Sequence, residues 1–238
     1  MPAITTRSLP SQIELLVLLD LDGTLIDSAS NILSGLRQTF ETLRLPVPDD
    51  DELSRYIGPP VYHSFRRLAA LSAPAAREAA ELYVTISDEH FLRDVRLYPD
   101  SREFVRSVAD DGVTLAIATS KPQHQAEAVL AAVDLLPLFP VVVGYERGGH
   151  RESKAAMIAE ALRRIRASGS HVTDAVMVGD RSHDLEGAAA NGIDGVWAAW
   201  GYGDPSEAMR AVAVARDFAD LRQLVRARRS PETTASRP

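Results

Sequence analysis

The chain contains no cysteine, which excludes disulfides, thiolate zinc sites and catalysis through a cysteine nucleophile. Lysine is almost as scarce: of 26 basic residues only Lys121 and Lys154 are lysine, and the rest are arginine. No stretch is apolar for long enough to span a bilayer. The amino-terminal apolar run is short, is interrupted by Glu14 and does not read as a signal peptide, so a cytoplasmic location is expected. A net charge of −7 and a pI near 5.4 argue against nucleic acid or an anionic membrane as the main partner. His90, His124, His150, His171 and His183 lack paired ligand spacing, which argues against a histidine zinc site. What remains, 238 residues with 45% hydrophobic content, suits one α/β domain or a core with a small inserted domain.

Charge appears where a chain normally avoids it. Asp20-Leu21-Asp22-Gly23-Thr24-Leu25 follows directly on Leu15–Leu19, a run too short for a helix and apolar enough for a central strand. Side chains alternate along a strand, so Asp20 and Asp22 project the same way at its carboxyl end. Paired carboxylates raise each other's pKa unless a cation or hydrogen bonds intervene. A divalent metal is the expected remedy, and oxygen ligands point to magnesium (Mg2+). The plain alternative is a strand that ends in an Asp22-Gly23 turn, with Thr24 capping the next segment.

Two further strand exits carry similar residues. Thr119-Ser120-Lys121-Pro122 closes the apolar stretch Val113–Ala118, and Gly179-Asp180-Arg181-Ser182-His183-Asp184 closes Ala175–Val178. Asp184 falls near the start of a helical segment, where compensation of the helix dipole would also account for it. Lys154 opens another helix behind Ser153, a good N-cap. An ammonium in a first turn opposes the dipole by roughly a few tenths of a kcal/mol. Lys154 would be at ease beside a carboxylate and a phosphate; a solvated lysine is the alternative.

Residues 1–12 read as a loose arm and 229–238 as a disordered tail. Between 28 and 95 the pattern is wholly helical: a helix capped by Ser28 or Ser30 and stopped by Pro46, then Asp51–Ile57, Val61–Leu71 and Ala75–Leu92. From Ser101 onward helices and strands alternate: helix 101–110, strand 113–119, helix 122–135, strand 141–144, helix 153–167, strand 175–178, helix 183–191 and strand 194–199. That order means right-handed βαβ units around a parallel sheet, a Rossmann-like α/β core interrupted by a helical insertion. Asp20, Asp22, Thr119 and Asp180 all fall at carboxyl ends of strands, where open α/β sheets bind ligands.

Taken in order, Asp20/Asp22, Thr119, Lys154 and Asp180/Asp184 resemble the four motifs of the haloacid dehalogenase-like phosphohydrolase superfamily. With Ile57-Gly58-Pro59-Pro60 and Thr119-Ser120-Lys121-Pro122, the chain is similar to the phosphoglycolate-phosphatase-like branch; the second Asp argues against a dehalogenase. The resemblance implies a core over 1–27 and 96–238 and an α-helical cap over 28–95, hinged near Asp27 and Leu97-Tyr98-Pro99. It implies a magnesium-dependent phosphatase for small phosphorylated metabolites, acting as monomer or homodimer. Asp20 would be the nucleophile and form an aspartyl phosphate, and Asp22 the general acid and base, its backbone carbonyl also on the metal. Asp180 and Asp184 would complete the metal ligands or hold their waters, and Lys154 would bridge Asp20 and the phosphoryl group. Thr119 and Ser120 would hydrogen-bond the phosphoryl oxygens, with Pro122 at the first helical position. Lys121 would help with phosphate or be solvated, and Gly23-Thr24 would form a mobile flap touching substrate. Gly58 and Pro59 would form a close-approach loop, with Arg66 or Arg67 pairing a substrate carboxylate or second phosphate unless both are solvated.

2-Phosphoglycolate is then the nominal substrate, with a 5′-nucleotidase, sugar phosphatase, pyrophosphatase or β-phosphoglucomutase-like phosphotransferase as alternatives. Phosphonoacetaldehyde hydrolysis is disfavoured, because residues 28–95 hold no lysine for a Schiff base. From other classes, a signalling receiver fails on the order of its elements, and a catalytically silent phosphate-binding protein would leave every filled motif position unexplained.

Overall fold

In the computed structural model, which describes residues 8–146 and 151–229, Leu15–Leu19 form the inner part of a longer strand, β1 (Gln12–Leu19). Leu15, Val17 and Leu19 enter one apolar layer, and Leu16 and Leu18 the opposite one. A strand covered on both faces reads as a continuous Leu/Val run because neither face meets water.

The chain leaves β1 through a two-residue strand, β2 (Ile26–Asp27), into four helices: α1 (Ala29–Thr42), α2 (Asp50–Ser54), α3 (Val61–Arg67) and α4 (Ala73–Asp88). It returns through β3 (Arg96–Leu97), which pairs antiparallel with β2, Ile26 opposite Leu97 and Asp27 opposite Arg96. The two places where the resemblance implies hinges are therefore laddered to each other. The four helices share their own apolar centre, built on Leu36, Leu53 and the trio Phe40, Tyr56 and Phe65, whose ring centroids lie 5.6–5.9 Å apart. Asp49 caps α2 by accepting from the Glu52 N–H, and Ser72 caps α4 by accepting from the Ala75 N–H. α1 ends at Thr42, short of Leu45, because Arg44 turns the chain into the left-handed region (φ 56°) ahead of Pro46.

The remaining elements alternate: α5 (Ser101–Asp110), β4 (Thr114–Pro122), α6 (Gln123–Ala132), β5 (Val141–Tyr145), α7 (Lys154–Ala167), β6 (His171–Gly179), α8 (Ser182–Ala190), β7 (Asp194–Ala198), β8 (Ala213–Ala215) and α9 (Phe218–Arg229). The sheet runs β5-β4-β1-β6-β7-β8, parallel throughout. From β1 the chain steps outward to β4 and β5, then crosses to β6 on the other side, so the order reverses at β1. Open α/β sheets bind ligands at the carboxyl ends flanking such a reversal. Phe104, Val129 and Leu221 bring α5, α6 and α9 onto one face; Met157, Ile165 and Ala188 bring α7 and α8 onto the other.

Three features depart from the sequence reading. β6 begins at His171, not Ala175, and its polar first residues pair with the start of β1, where the Gln12 amide donates to Thr173 Oγ1 at 2.8 Å. β8 and α9 are elements that the sequence pattern does not announce. Pro122 is the last residue of β4 and caps α6, which starts at Gln123, so it is not itself the first helical residue. Residues 230–238 of the expected tail and 1–7 of the expected arm lie outside the described residues. Among the described residues no helix is long and apolar enough to cross a membrane.

Candidate active site

The parallel pairing of β1 with β6 places Leu19 opposite Val178, so the residues leaving these strands, Asp20 and Asp180, emerge side by side. The Asp20 N–H still donates to Val178 O (2.9 Å), and Asp20 Oδ1 accepts from the Leu21 N–H (2.8 Å). Asp184, in the first turn of α8, completes a cluster in which one carboxylate oxygen of each residue lies within 4.8 Å of the others. All three are buried.

Lys154 resolves its awkward helix position here. Its ammonium lies 2.9 Å from Asp20 Oδ2 and 2.8 Å from Asp184 Oδ1, and donates to Ala118 O at 3.1 Å. Burial works against its charge, but Asp184 and Asp20 outweigh burial and hold it above the usual lysine range. Burial pushes Asp180 up to about 8, with Asp184 and Asp20 adding to the effect. Burial likewise raises Asp20, against the pull of Lys154. With all three carboxyl groups ionised, one buried ammonium would leave two negative charges in excess. A divalent cation would neutralise that excess, and an all-carboxylate oxygen set suits a hard one.

The Asp22 side chain lies outside this cluster. Lys121 Nζ approaches its two oxygens at 2.9 and 3.0 Å, and Ser28 Oγ donates to Oδ1 at 2.6 Å. Ser28 therefore occupies the N-cap position of α1 without capping it, its hydroxyl being engaged by Asp22. Lys121, expected at phosphate or in solvent, is bound to Asp22. The β4–β5 register slips between Ala118 and Pro122, which releases Thr119, Ser120 and Lys121 from a regular ladder toward the site. Ser120 Oγ is buried without a hydrogen-bond partner among the described residues.

A cavity of about 650 Å³ separates these residues from the helical insertion. Asp20, Asp22 and Thr119 form its floor, and Gly58 and Pro59 stand in its wall. Gly58 is required where it is: φ is +107°, and a Cβ there would lie 2.6 Å from Arg181 Cγ. The buried Arg181 guanidinium donates to Ile57 O, tying the loop before α3 to the residue after Asp180.

Two expectations are corrected. Gly23 and Thr24 do not line the cavity; they pack on Asp180. A Cβ on Gly23 would lie 2.4 Å from Asp180 Oδ2, and Thr24 Oγ1 donates to Asp180 Oδ1 at 3.2 Å. Arg66 and Arg67 also stay out of the lining: both are exposed, and Arg66 donates to Leu71 O. The cationic residue that the helical insertion contributes to the lining is Arg77, on α4.

Sequence reasoning reads Trp200-Gly201-Tyr202-Gly203 equally as an edge of the site or as a packed loop, and the residue of it that reaches the site is Tyr202. Its N–H donates to Asp180 Oδ2 (2.8 Å), and its hydroxyl accepts from the Ser28 and Ala29 N–H groups (2.8 and 3.1 Å) while donating to Asp27 Oδ1 (2.9 Å). It satisfies the open amino terminus of α1 and links the junction of β2 and α1 to Asp180.

Known proteins are similar to this chain in sequence and fold. A haloacid dehalogenase-like hydrolase family model matches residues 17–198. Tyrosine-protein kinase PtkA of Mycobacterium tuberculosis is 36% identical over 196 residues; the match covers 82% of this chain and 66% of PtkA, just under two thirds of its length. A 5′-nucleotidase of Pseudomonas aeruginosa is 30% identical over 211 residues, covering 88% and 94% of the two chains. The crystal structure of a predicted phosphatase from Clostridium acetobutylicum superposes with a TM-score of 0.84 at 26% identity, covering 90% of this chain and 99% of that one. With the family match spanning every motif from Asp20 to Asp184, the chain belongs to the haloacid dehalogenase-like hydrolases.

Proposed function

We propose that the protein is a magnesium-dependent phosphatase that hydrolyses small phosphomonoesters through a phosphorylated Asp20, with residues 28–95 as its cap. The observation that carries this reading is the division of labour between the paired aspartates. Asp20 faces Lys154, Asp180 and Asp184, whereas Asp22 faces Lys121 and Ser28.

An Asp20 carboxylate oxygen attacks phosphorus in line, and the ester oxygen departs with a proton from Asp22. Water then attacks the aspartyl phosphate as Asp22 takes its proton, releasing phosphate and restoring both carboxyl groups. Lys154 offsets charge shared by Asp20 and the phosphoryl oxygens, and the Thr119 and Ser120 hydroxyls donate to those oxygens. Lys121 is the group an incoming phosphate dianion would draw from Asp22, leaving that carboxyl free to carry a proton. A magnesium ion held by Asp20 and Asp180, with Asp184 at it or at its waters, would supply charge neutralisation and a fixed orientation for the phosphoryl group. The names of the Pseudomonas nucleotidase and the Clostridium phosphatase support the reaction class.

Incubation with glycerol phosphate and p-nitrophenyl phosphate tests the reading. Magnesium-dependent phosphate release that disappears in Asp20→Asn is expected, and a freshly purified mutant that turns over normally would remove Asp20 as nucleophile.

A further inference from the structure

The cavity is much larger than the chemistry beneath it requires. Its volume of about 650 Å³ lies within the range of pockets that enclose drug-sized ligands, roughly 300–1,000 Å³. A two-carbon ester such as phosphoglycolate would occupy the floor and leave the remainder to water. The upper wall is aromatic and apolar: Tyr62 from α3, Tyr83 and Val84 from α4, and Ile32 and Leu36 from α1. The Arg77 guanidinium lies 5.5 Å from the centroid of the Tyr62 ring, a cation–π stack that fixes both groups. Burial, with the Asp22 charge adding to it, holds the Tyr83 phenol well above its ordinary range, so this ring is a neutral face above the catalytic floor.

Among the described residues that line the cavity, Lys121 is engaged by Asp22 and Arg77 stacks on Tyr62. Arg77 lies one helical turn from Glu81, which also lines the cavity. A flat, uncharged group finds aromatic faces in the upper wall, on which stacking is worth about 1–3 kcal/mol for a nucleobase.

We infer that the preferred substrate is a phosphomonoester whose leaving alcohol carries an aromatic ring, the ring lying against Tyr62 and Tyr83. The inference rests on the phosphatase reading above and names the substrate class within it. A nucleoside and a phenol both offer such a ring, so the test separates them.

The experiment measures kcat/KM on the magnesium-loaded full chain for adenosine 5′-monophosphate, O-phosphotyrosine, 2-phosphoglycolate and glycerol phosphate. At least one ring-bearing ester is expected to exceed 2-phosphoglycolate by roughly tenfold or more; the better of the two identifies a base-linked or a phenolic ring. Tyr62→Ala should shrink the ratio of that ester to glycerol phosphate by about tenfold, through KM, and Tyr62→Phe should restore it. Turnover of 2-phosphoglycolate at or above the ring-bearing esters would overturn the inference, as would an unchanged ratio in Tyr62→Ala. Hydrolysis of glycerol phosphate with both ring-bearing esters lagging would overturn it while leaving the phosphatase reading intact. Silence on every ester, glycerol phosphate included, would overturn both.

Discussion

Lys121 and Asp22 stand 99 residues apart in sequence and 2.9 Å apart in space. Lys154 makes the matching contact with Asp20, also at 2.9 Å. The chain's only two lysines are thus each bound to one aspartate of the first motif. A protein that uses arginine elsewhere places a compact, rotatable ammonium beside each of these carboxylates, where a planar guanidinium would demand a fixed fork of acceptors.

Lys121→Gln should lower kcat/KM by about 10- to 100-fold, the worth of a charge-assisted hydrogen bond lost to Asp22 or to phosphate. Steady-state kinetics with glycerol phosphate gives the answer, and rates within twofold of wild type would show that this pairing plays no part in turnover.

Lys154→Met should cost more in stability. It leaves Asp20 and Asp184 buried without their ammonium, and breaking a buried pair costs about 3–5 kcal/mol. Urea unfolding in EDTA measures the loss, and added magnesium should recover part of it. A metal-free midpoint equal to wild type would contradict the charge balance drawn for the cluster.

The pH dependence of metal-free stability has a definite sign. Asp180 is raised to about 8 by burial and its neighbouring carboxylates, and Asp20 to about 6 by burial. Folded protein therefore binds more protons than unfolded protein between the ordinary Asp range near 4 and these values. The contribution is fully present below that range and is lost as pH rises toward 8. In EDTA, Tm should fall between pH 5 and 8, more steeply in wild type than in Asp180→Asn. Magnesium should raise Tm more at pH 8 than at pH 5, since it competes with protons for the same oxygens. A steeper fall in Asp180→Asn than in wild type would refute the assignment.

Much of this site is legible because its residues violate local expectations. Asp20 and Asp180 are charges at the ends of apolar strands, and Lys154 is a cation at the wrong end of a helix; each anomaly is visible within ten residues. What stays hidden depends on tertiary direction. Helical spacing cannot show which face of 61–71 looks inward, and Arg66 and Arg67 look out while Arg77, one helix later, looks in. Gly23 and Thr24 sit beside Asp20 and Asp22 in sequence, yet the turn after Asp22 folds them onto Asp180. α9 escapes notice because its buried residues, Phe218, Leu221 and Val225, are spread among arginines, although they repeat at helical spacing. β8 offers three small residues and no pattern to read.

Gly58→Ala probes the link between the insertion and the loop that carries Asp180 and Arg181. The added methyl would lie 2.6 Å from Arg181 Cγ, and alanine at φ +107° is strained whatever the space. A strained backbone position costs about 1–3 kcal/mol, and here that strain falls where the loop must meet Arg181 and close the cavity wall. KM should rise by about tenfold or more, with melting of the remaining core little changed. Arg181→Ala removes both the clash and the hydrogen bond to Ile57 O, so the two substitutions should be non-additive. The double mutant should resemble Arg181→Ala alone in KM, apart from the strain intrinsic to the backbone. Strict additivity would mean that Gly58 and Arg181 act separately and that the loop is held by other contacts, such as His63 on Glu152 O.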